Sequence, residues 1–144
     1  MRDQCIAVLL VDDYEPFRII VSSLLSENPA LQIVAEASDG LESARKAWRL
    51  QPDLVLLDIS LPGLNGIVAA RQIRKLAPKS KIVFLSQETS PEVVEEAMRS
   101  GASGYVVKAN VRSELLPTIE RVLPSKQSLG RDVTPRIIRT YLNP

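Results

Sequence analysis

Short apolar runs alternate along the chain with stretches whose apolar residues recur at helical spacing. The runs lie near residues 5–11, 31–36, 53–57, 81–85 and 103–107 and are rich in Val, Ile and Leu. Runs of this kind fit strands buried on both faces. Between them, residues 16–27 carry Phe17, Ile20, Val21, Leu24 and Leu25 on one helical face. Residues 40–50 carry Leu41, Ala44, Ala47 and Trp48, and residues 65–76 carry Ile67, Ala70, Ile73 and Leu76. Residues 91–100 carry Val93, Val94, Ala97 and Met98, and residues 111–123 carry Val111, Leu115, Ile119 and Val122. The order is a βα unit repeated five times. Such alternation predicts an α/β domain: a doubly wound parallel sheet with right-handed crossovers and helices on both sides.

Local signals agree with these bounds. Asn65 suits a helix N-cap, and Ser90-Pro91 places a cap before a proline at the first helical position. Gly101 falls where a helix end favours a left-handed residue, and Leu61-Pro62-Gly63 reads as a turn. From about residue 124 the pattern changes. Pro124 to Gly130 reads as a linker, and Thr134-Pro135 suits the start of a short helix over 134–142 with Ile137, Ile138 and Tyr141 on one side. The expected division is therefore a domain over 1–123 and a mildly basic tail over 124–144.

A length of 144 residues suits one core, and 45% hydrophobic against 4% aromatic residues makes that core aliphatic. A net charge of +1 gives no general affinity for nucleic acid. No apolar stretch approaches a membrane span, and the N-terminus does not read as a signal peptide, so a cytoplasmic protein is expected. The single Cys5 has no partner for an internal disulfide, and its place in the first run predicts a buried structural thiol. With no histidine in the chain, acid–base work and metal ligation fall to carboxylates, hydroxyls, amines or backbone.

The isolated polar residues carry the chemistry. Asp12 and Asp13 follow the first apolar run, Asp58 the third, Ser86 the fourth and Lys108 the fifth. The carboxyl ends of strands in an open α/β sheet converge on one edge, where such folds bind ligands. Taken singly, an aspartate after a strand is a turn residue or helix cap, a serine is a loop hydroxyl, and a lysine is a solvated cation. Asp12 or Asp13 is also a candidate cap for the first helix. Together they form a set able to hold a divalent cation and a phosphoryl group. Asp58 offers a carboxylate that can become an acyl phosphate. The three acids suit Mg2+, an oxygen-seeking cation, while Lys108 and Ser86 suit phosphoryl oxygens.

The segments Val11-Asp12-Asp13, Leu57-Asp58-Ile59-Ser60-Leu61-Pro62-Gly63-Leu64-Asn65-Gly66, Leu85-Ser86 and Gly101-Ala102-Ser103-Gly104-Tyr105-Val106-Val107-Lys108-Ala109 resemble the receiver domain of bacterial two-component response regulators, over roughly residues 4–123. The Gly-Ala-Ser-Gly-Tyr and Leu-Pro-Gly-Leu-Asn-Gly stretches resemble the NarL/FixJ class, and Leu129 to Pro135 resembles the linker that leads there to a LuxR-type helix-turn-helix. The resemblance implies a flavodoxin-like (CheY-like) sheet of order 2-1-3-4-5. It implies Asp58 as phosphoacceptor, with Mg2+ on Asp12, Asp13, Asp58 and the backbone carbonyl of Ser60. Ser86 and Lys108 would contact the phosphoryl group, and Tyr105 would couple to Ser86 as a switch.

The implied partners are a sensor histidine kinase, a second copy on phosphorylation, and DNA only through an output domain beyond Pro144. No membrane partner is implied. The expected role is a signalling switch in transcription control, not an enzyme acting on other substrates. A stand-alone receiver working through protein contacts is the alternative. One departure is Ala109 after Lys108, where many receivers carry proline. Ser60 and Glu88 stand where the family tunes phosphoryl lifetime.

Two other classes compete. An aspartyl-phosphate phosphatase needs an Asp-x-Asp pair after the first strand, whereas this chain has Asp12-Asp13-Tyr14. A flavin-binding module needs a hydroxyl- and glycine-rich phosphate loop there, and two aspartates repel a bare phosphate.

Overall fold

The structure, a computed structural model, describes residues 5–124. The expected helix over 134–142 lies outside the described residues. Eleven elements follow in order. The strands are β1 (Ile6–Val11), β2 (Leu31–Ala37), β3 (Leu54–Leu57), β4 (Lys81–Ser86) and β5 (Gly104–Val107). The helices are α1 (Glu15–Leu25), α2 (Gly40–Leu50), α3 (Gly66–Leu76), α4 (Pro91–Arg99) and α5 (Val111–Val122), with a 3-10 turn at Lys108–Asn110 before α5. All pairings are parallel, and the sheet order is β2-β1-β3-β4-β5. This is the expected doubly wound, flavodoxin-like order.

Side chains alternate across the strands and divide the core into two layers. Ile6, Val8 and Leu10 of β1, Leu54 and Leu56 of β3, and Val83 and Leu85 of β4 pack with Phe17, Val21 and Leu24 of α1 and Leu115 and Ile119 of α5. Leu9 and Val11, Val55 and Leu57, and Ile82 and Phe84 pack on the opposite face with Ala47 of α2, Ile67, Ala70 and Ile73 of α3, and Ala97 of α4. β1, β3 and β4 are covered on both faces, which is why they read as continuous apolar runs. The edge strand β2 is not, because Gln32, Val34 and Glu36 on one face are exposed, so the expected burial on both faces fails there.

The helix starts use the expected caps. Asn65 Oδ1 accepts from the N–H groups of Ile67 and Val68, and Ser90 Oγ accepts from Val93 N–H. Gly101 follows α4 with φ of 106°, a conformation that favours glycine. Neither Asp12 nor Asp13 caps the first turn of α1. Tyr14 is the N-cap residue and makes no side-chain cap bond, while Asp12 Oδ1 accepts from Tyr14 N–H at 2.9 Å and so fixes the entry to the helix.

Other sequence expectations are corrected, among them Leu76, which is exposed at the end of α3 and not on its buried face. Cys5 is exposed, not a buried thiol, and its Sγ–H donates to Gln32 Oε1 at 2.9 Å. It precedes Ile6, the first paired residue of β1. In α2 the inward residues are Gly40, Ser43, Ala44 and Ala47, while Leu41 and Trp48 are exposed. Each sits one residue, about 100°, from the buried stripe. In α4 only Ala97 is buried, and Met98 faces outward.

Candidate functional site

Strand order reverses between β1 and β3, and their carboxyl ends bring the acids together. Val11 pairs with Leu57, so the next residues, Asp12 and Asp58, are neighbours across the ladder. Asp58 N–H donates to the Val11 carbonyl at 3.1 Å, and Asp12 N–H to the Ala37 carbonyl at 3.0 Å. Ser86 closes β4, and Lys108 opens the 3-10 turn after β5. The five residues singled out for phosphoryl chemistry therefore share one edge, as a topological switch point requires.

Asp12 and Asp58 are buried and Asp13 is exposed, and each places a carboxylate oxygen within 4.8 Å of the other two. Lys108 Nζ lies 2.6 Å from Asp12 Oδ2 and 3.3 Å from Asp58 Oδ2. The ammonium also stands 4.4 Å from the centre of the Phe17 ring, a cation–π contact. The closeness to Asp12 Oδ2 is an ion pair without an aligned hydrogen bond, because that buried oxygen has no hydrogen-bond partner. A buried carboxylate oxygen lacking a directed bond is unusual in a folded protein. Beside two further carboxylates it fits a hard cation that takes oxygen ligands.

Burial raises the Asp58 carboxyl above its ordinary value. The Lys108 charge opposes that rise, the Asp12 charge adds to it, and hydrogen bonds from Lys108 and from Ser60 N–H also oppose it. The Ser60 N–H lies 3.3 Å from Asp58 Oδ1, which ties the β3–α3 loop to the acid. Gly66 lets the start of α3 lie against the backbone of the acid: a Cβ there would lie 2.0 Å from the Asp58 carbonyl oxygen.

Ser86 and Tyr105 meet one shell out. Ser86 Oγ accepts from Glu88 N–H at 3.1 Å, and the Tyr105 hydroxyl donates to the Glu88 carbonyl at 2.8 Å. Burial raises the Tyr105 phenol above its ordinary value; hydrogen bonding with Ser86 opposes the rise, and the charges of Glu88 and Asp58 add to it. The Tyr105 ring packs at 6.2 Å from Phe84. No peptide among the described residues is cis, so Lys108–Ala109 is trans.

Three participants escape a reading of the sequence. Phe17 reads as one more apolar position of α1, and Arg18 carries no motif, although it donates to the Asp12 carbonyl. Glu88 reads as a position that tunes phosphoryl lifetime, not as the backbone hub for Ser86 and Tyr105. A cavity of about 520 Å³ opens beside Lys108, lined in part by Tyr14, Phe17, Gln87, Thr89 and Arg112.

A parallel α/β sheet whose carboxyl edge holds an acid cluster, a lysine and a hydroxyl defines a phosphoacceptor module of the flavodoxin-like class. Residues 8–120 match the family model described as response regulator receiver domain. The chain is 34% identical over 128 residues to the nitrate/nitrite response regulator protein NarL of Escherichia coli (strain K12), covering 89% of this chain and 59% of that protein. Its structure is similar to the response regulator domain of Thermotoga maritima CheB, with TM-score 0.77 and 32% identity over 83% of this chain and 97% of that one. It is also similar to a LuxR-family response regulator from Aurantimonas sp. SI85-9A1, with TM-score 0.79 and 32% identity over 96% of each.

The chain belongs to the response regulator receiver domain family, and accepting a phosphoryl group in two-component signalling is its function. Receiver domains are signalling switches that generally bind Mg2+ at an acidic pocket and interact with histidine kinases and other phosphotransfer partners. The chain spans about three fifths of NarL's length. No helix among the described residues is long and apolar enough to cross a membrane.

Proposed function

We propose that Asp58 is the phosphoacceptor and that Asp12, Asp13, Asp58 and the Ser60 carbonyl form the Mg2+ ligand set. The supporting observation is the Asp58 carboxylate itself: buried, beside two other acids, and 3.3 Å from the Lys108 ammonium. When bound, Mg2+ supplies positive charge that offsets the carboxylates and the incoming phosphoryl oxygens.

The chain's own residues do the rest. A carboxylate oxygen of Asp58 forms a bond to phosphorus as the donor's P–N or P–O bond breaks, and that electron pair leaves with the donor. Little covalent work remains, since phosphoryl transfer is dominated by positioning and charge stabilisation. Lys108 is already held near both acids by Asp12 and Phe17, so it exchanges a carboxylate contact for a phosphoryl oxygen with little reordering.

Ser86 then turns its hydroxyl toward the phosphoryl group. That weakens the contacts converging on Glu88 and releases Tyr105 from the Glu88 carbonyl, so a local charge event repacks the surface around residues 87–110. The receiver occupies residues 1–123. Its output is transcription control, acting through a DNA-binding segment outside this chain and through a dimer formed on phosphorylation. Similarity to NarL and to a LuxR-family regulator favours that output. A relative named protein-glutamate methylesterase/protein-glutamine glutaminase, from Thermotoga maritima and 34% identical, carries a different activity in its name.

Intact mass after incubation with a small acyl phosphate and Mg2+ tests the assignment. One phosphoryl group on wild type and none on Asp58→Asn is the expected result. Equal labelling of both proteins would place the acceptor elsewhere.

A further inference from the structure

We infer that Arg18 is a positioning residue for the metal-binding corner, acting through the peptide that joins Asp12 to Asp13. This inference rests on the ligand set proposed above. Arg18 lies on the first turn and a half of α1, and its side chain is 17% exposed. One guanidinium nitrogen, Nη1, donates to the Asp12 carbonyl. Its Nε donates to Glu36 Oε1 of β2 at 2.8 Å. Glu36 is itself held, because Lys46 of α2 donates to its backbone carbonyl at 2.6 Å. Lys46 also pairs with Glu42 at 2.9 Å. A chain of contacts thus runs from the acid corner to the edge strand and α2.

The location of the first contact gives it leverage. The Asp12 carbonyl oxygen and the Asp13 nitrogen belong to one planar unit. Asp12 N–H is fixed by the Ala37 carbonyl, but its own carbonyl lies past the end of the β1–β3 ladder, so the ladder does not orient it. Arg18 fixes that plane, and the plane sets the direction in which the exposed Asp13 leaves the backbone. A guanidinium suits this role because its rigid planar fork reaches two acceptors at once, whereas a lysine ammonium on this stem reaches one or the other.

Charge and positioning predict opposite signs. By charge alone, removing a cation near three carboxylates strengthens Mg2+ binding, and Arg18→Lys leaves it unchanged. By positioning, both substitutions weaken it. The experiment is calorimetric titration of Mg2+ at about 0.15 M salt, where charges beyond roughly 8 Å are largely screened. Wild type, Arg18→Ala and Arg18→Lys are compared, with amide spectra recorded before metal is added. The expected results are about a 10-fold loss of Mg2+ affinity in Arg18→Ala and about 3-fold in Arg18→Lys, in line with losing a charge-assisted hydrogen bond. The metal-free spectra should change at Asp13 and its neighbours while the core amides stay in place. Arg18→Lys keeps the charge and carries the test should Arg18→Ala fail to fold. Affinity that is unchanged or tighter in Arg18→Lys overturns the positioning role alone. Wild type that takes up no Mg2+ overturns the ligand set and this inference with it.

Discussion

Replacing Asp58 with asparagine should stabilise the metal-free protein, because burying its charged carboxylate costs more than the neighbouring charges return. The size follows from the geometry. At an effective dielectric near 20, a like pair 4.8 Å apart repels by about 3.5 kcal/mol. The partner Asp12 is buried and exerts most of that repulsion; Asp13 is exposed, and water screens its share to about 1 kcal/mol. Lys108 at 3.3 Å returns about 5 kcal/mol. The pairwise forces therefore nearly cancel, and burial of the carboxylate decides the sign.

Asparagine keeps the shape and loses the charge, so the expected gain is about 1–3 kcal/mol at pH 7, or roughly 3–10 °C in Tm for a domain of this size. Denaturant unfolding in a chelator checks it. The pH dependence has a fixed direction. The folded carboxyl sits above the ordinary aspartate value of 3.8, so the folded state binds more protons than the unfolded one in the interval above 3.8. Wild-type stability from this group is present below 3.8 and is lost as pH rises through the raised folded value. The advantage of Asp58→Asn should therefore shrink as pH falls toward 3.8. Mg2+ should also narrow it, since free metal at about ten times Kd stabilises wild type by about 1.4 kcal/mol and the variant removes one charge from the proposed ligand set. An Asp58→Asn protein less stable than wild type at pH 7 in chelator would refute the reasoning, because Lys108 would then outweigh both the crowding and the burial.

Two further outcomes are expected. Gly66→Ala places a Cβ 2.0 Å from the Asp58 carbonyl oxygen and 2.6 Å from the Ile59 Cα, and neither backbone atom can yield cheaply. The cost should be about 3 kcal/mol or more, exceeding the gain of roughly 1 kcal/mol from better helix propensity, and a thermal melt equal to wild type would show the loop can move. Tyr105→Phe removes the hydroxyl that donates to the Glu88 carbonyl and should destabilise the unphosphorylated protein by about 1 kcal/mol. Urea unfolding that matches wild type would mean the bond holds nothing in that state.

The alternation of elements was legible in the chain because the inner strands β1, β3 and β4, covered on both faces, are apolar between their ends. The helices between them repeat at about 3.6 residues, so the five βα units read directly from sequence. The site was legible for a related reason. A polar residue that ends such a run stands at the sheet edge, so Asp12, Asp58, Ser86 and Lys108 declared their neighbourhood without any contact being known.

Rotation of helices was decided by tertiary structure. Leu41 and Trp48 share a helical face with Ala44 on the wheel, yet the close approach of Gly40 to the Leu64 backbone turns the small residues inward and leaves both exposed. Periodicity reports that a face exists, not which of two overlapping faces meets the sheet. Cys5 failed similarly, because burial at a strand end depends on what covers that end. Phe17 under the Lys108 ammonium and Arg18 on the Asp12 carbonyl were invisible in one dimension. Their roles arise from α1 crossing the carboxyl edge of β1, and a side chain's partner across space leaves no periodic trace in the sequence.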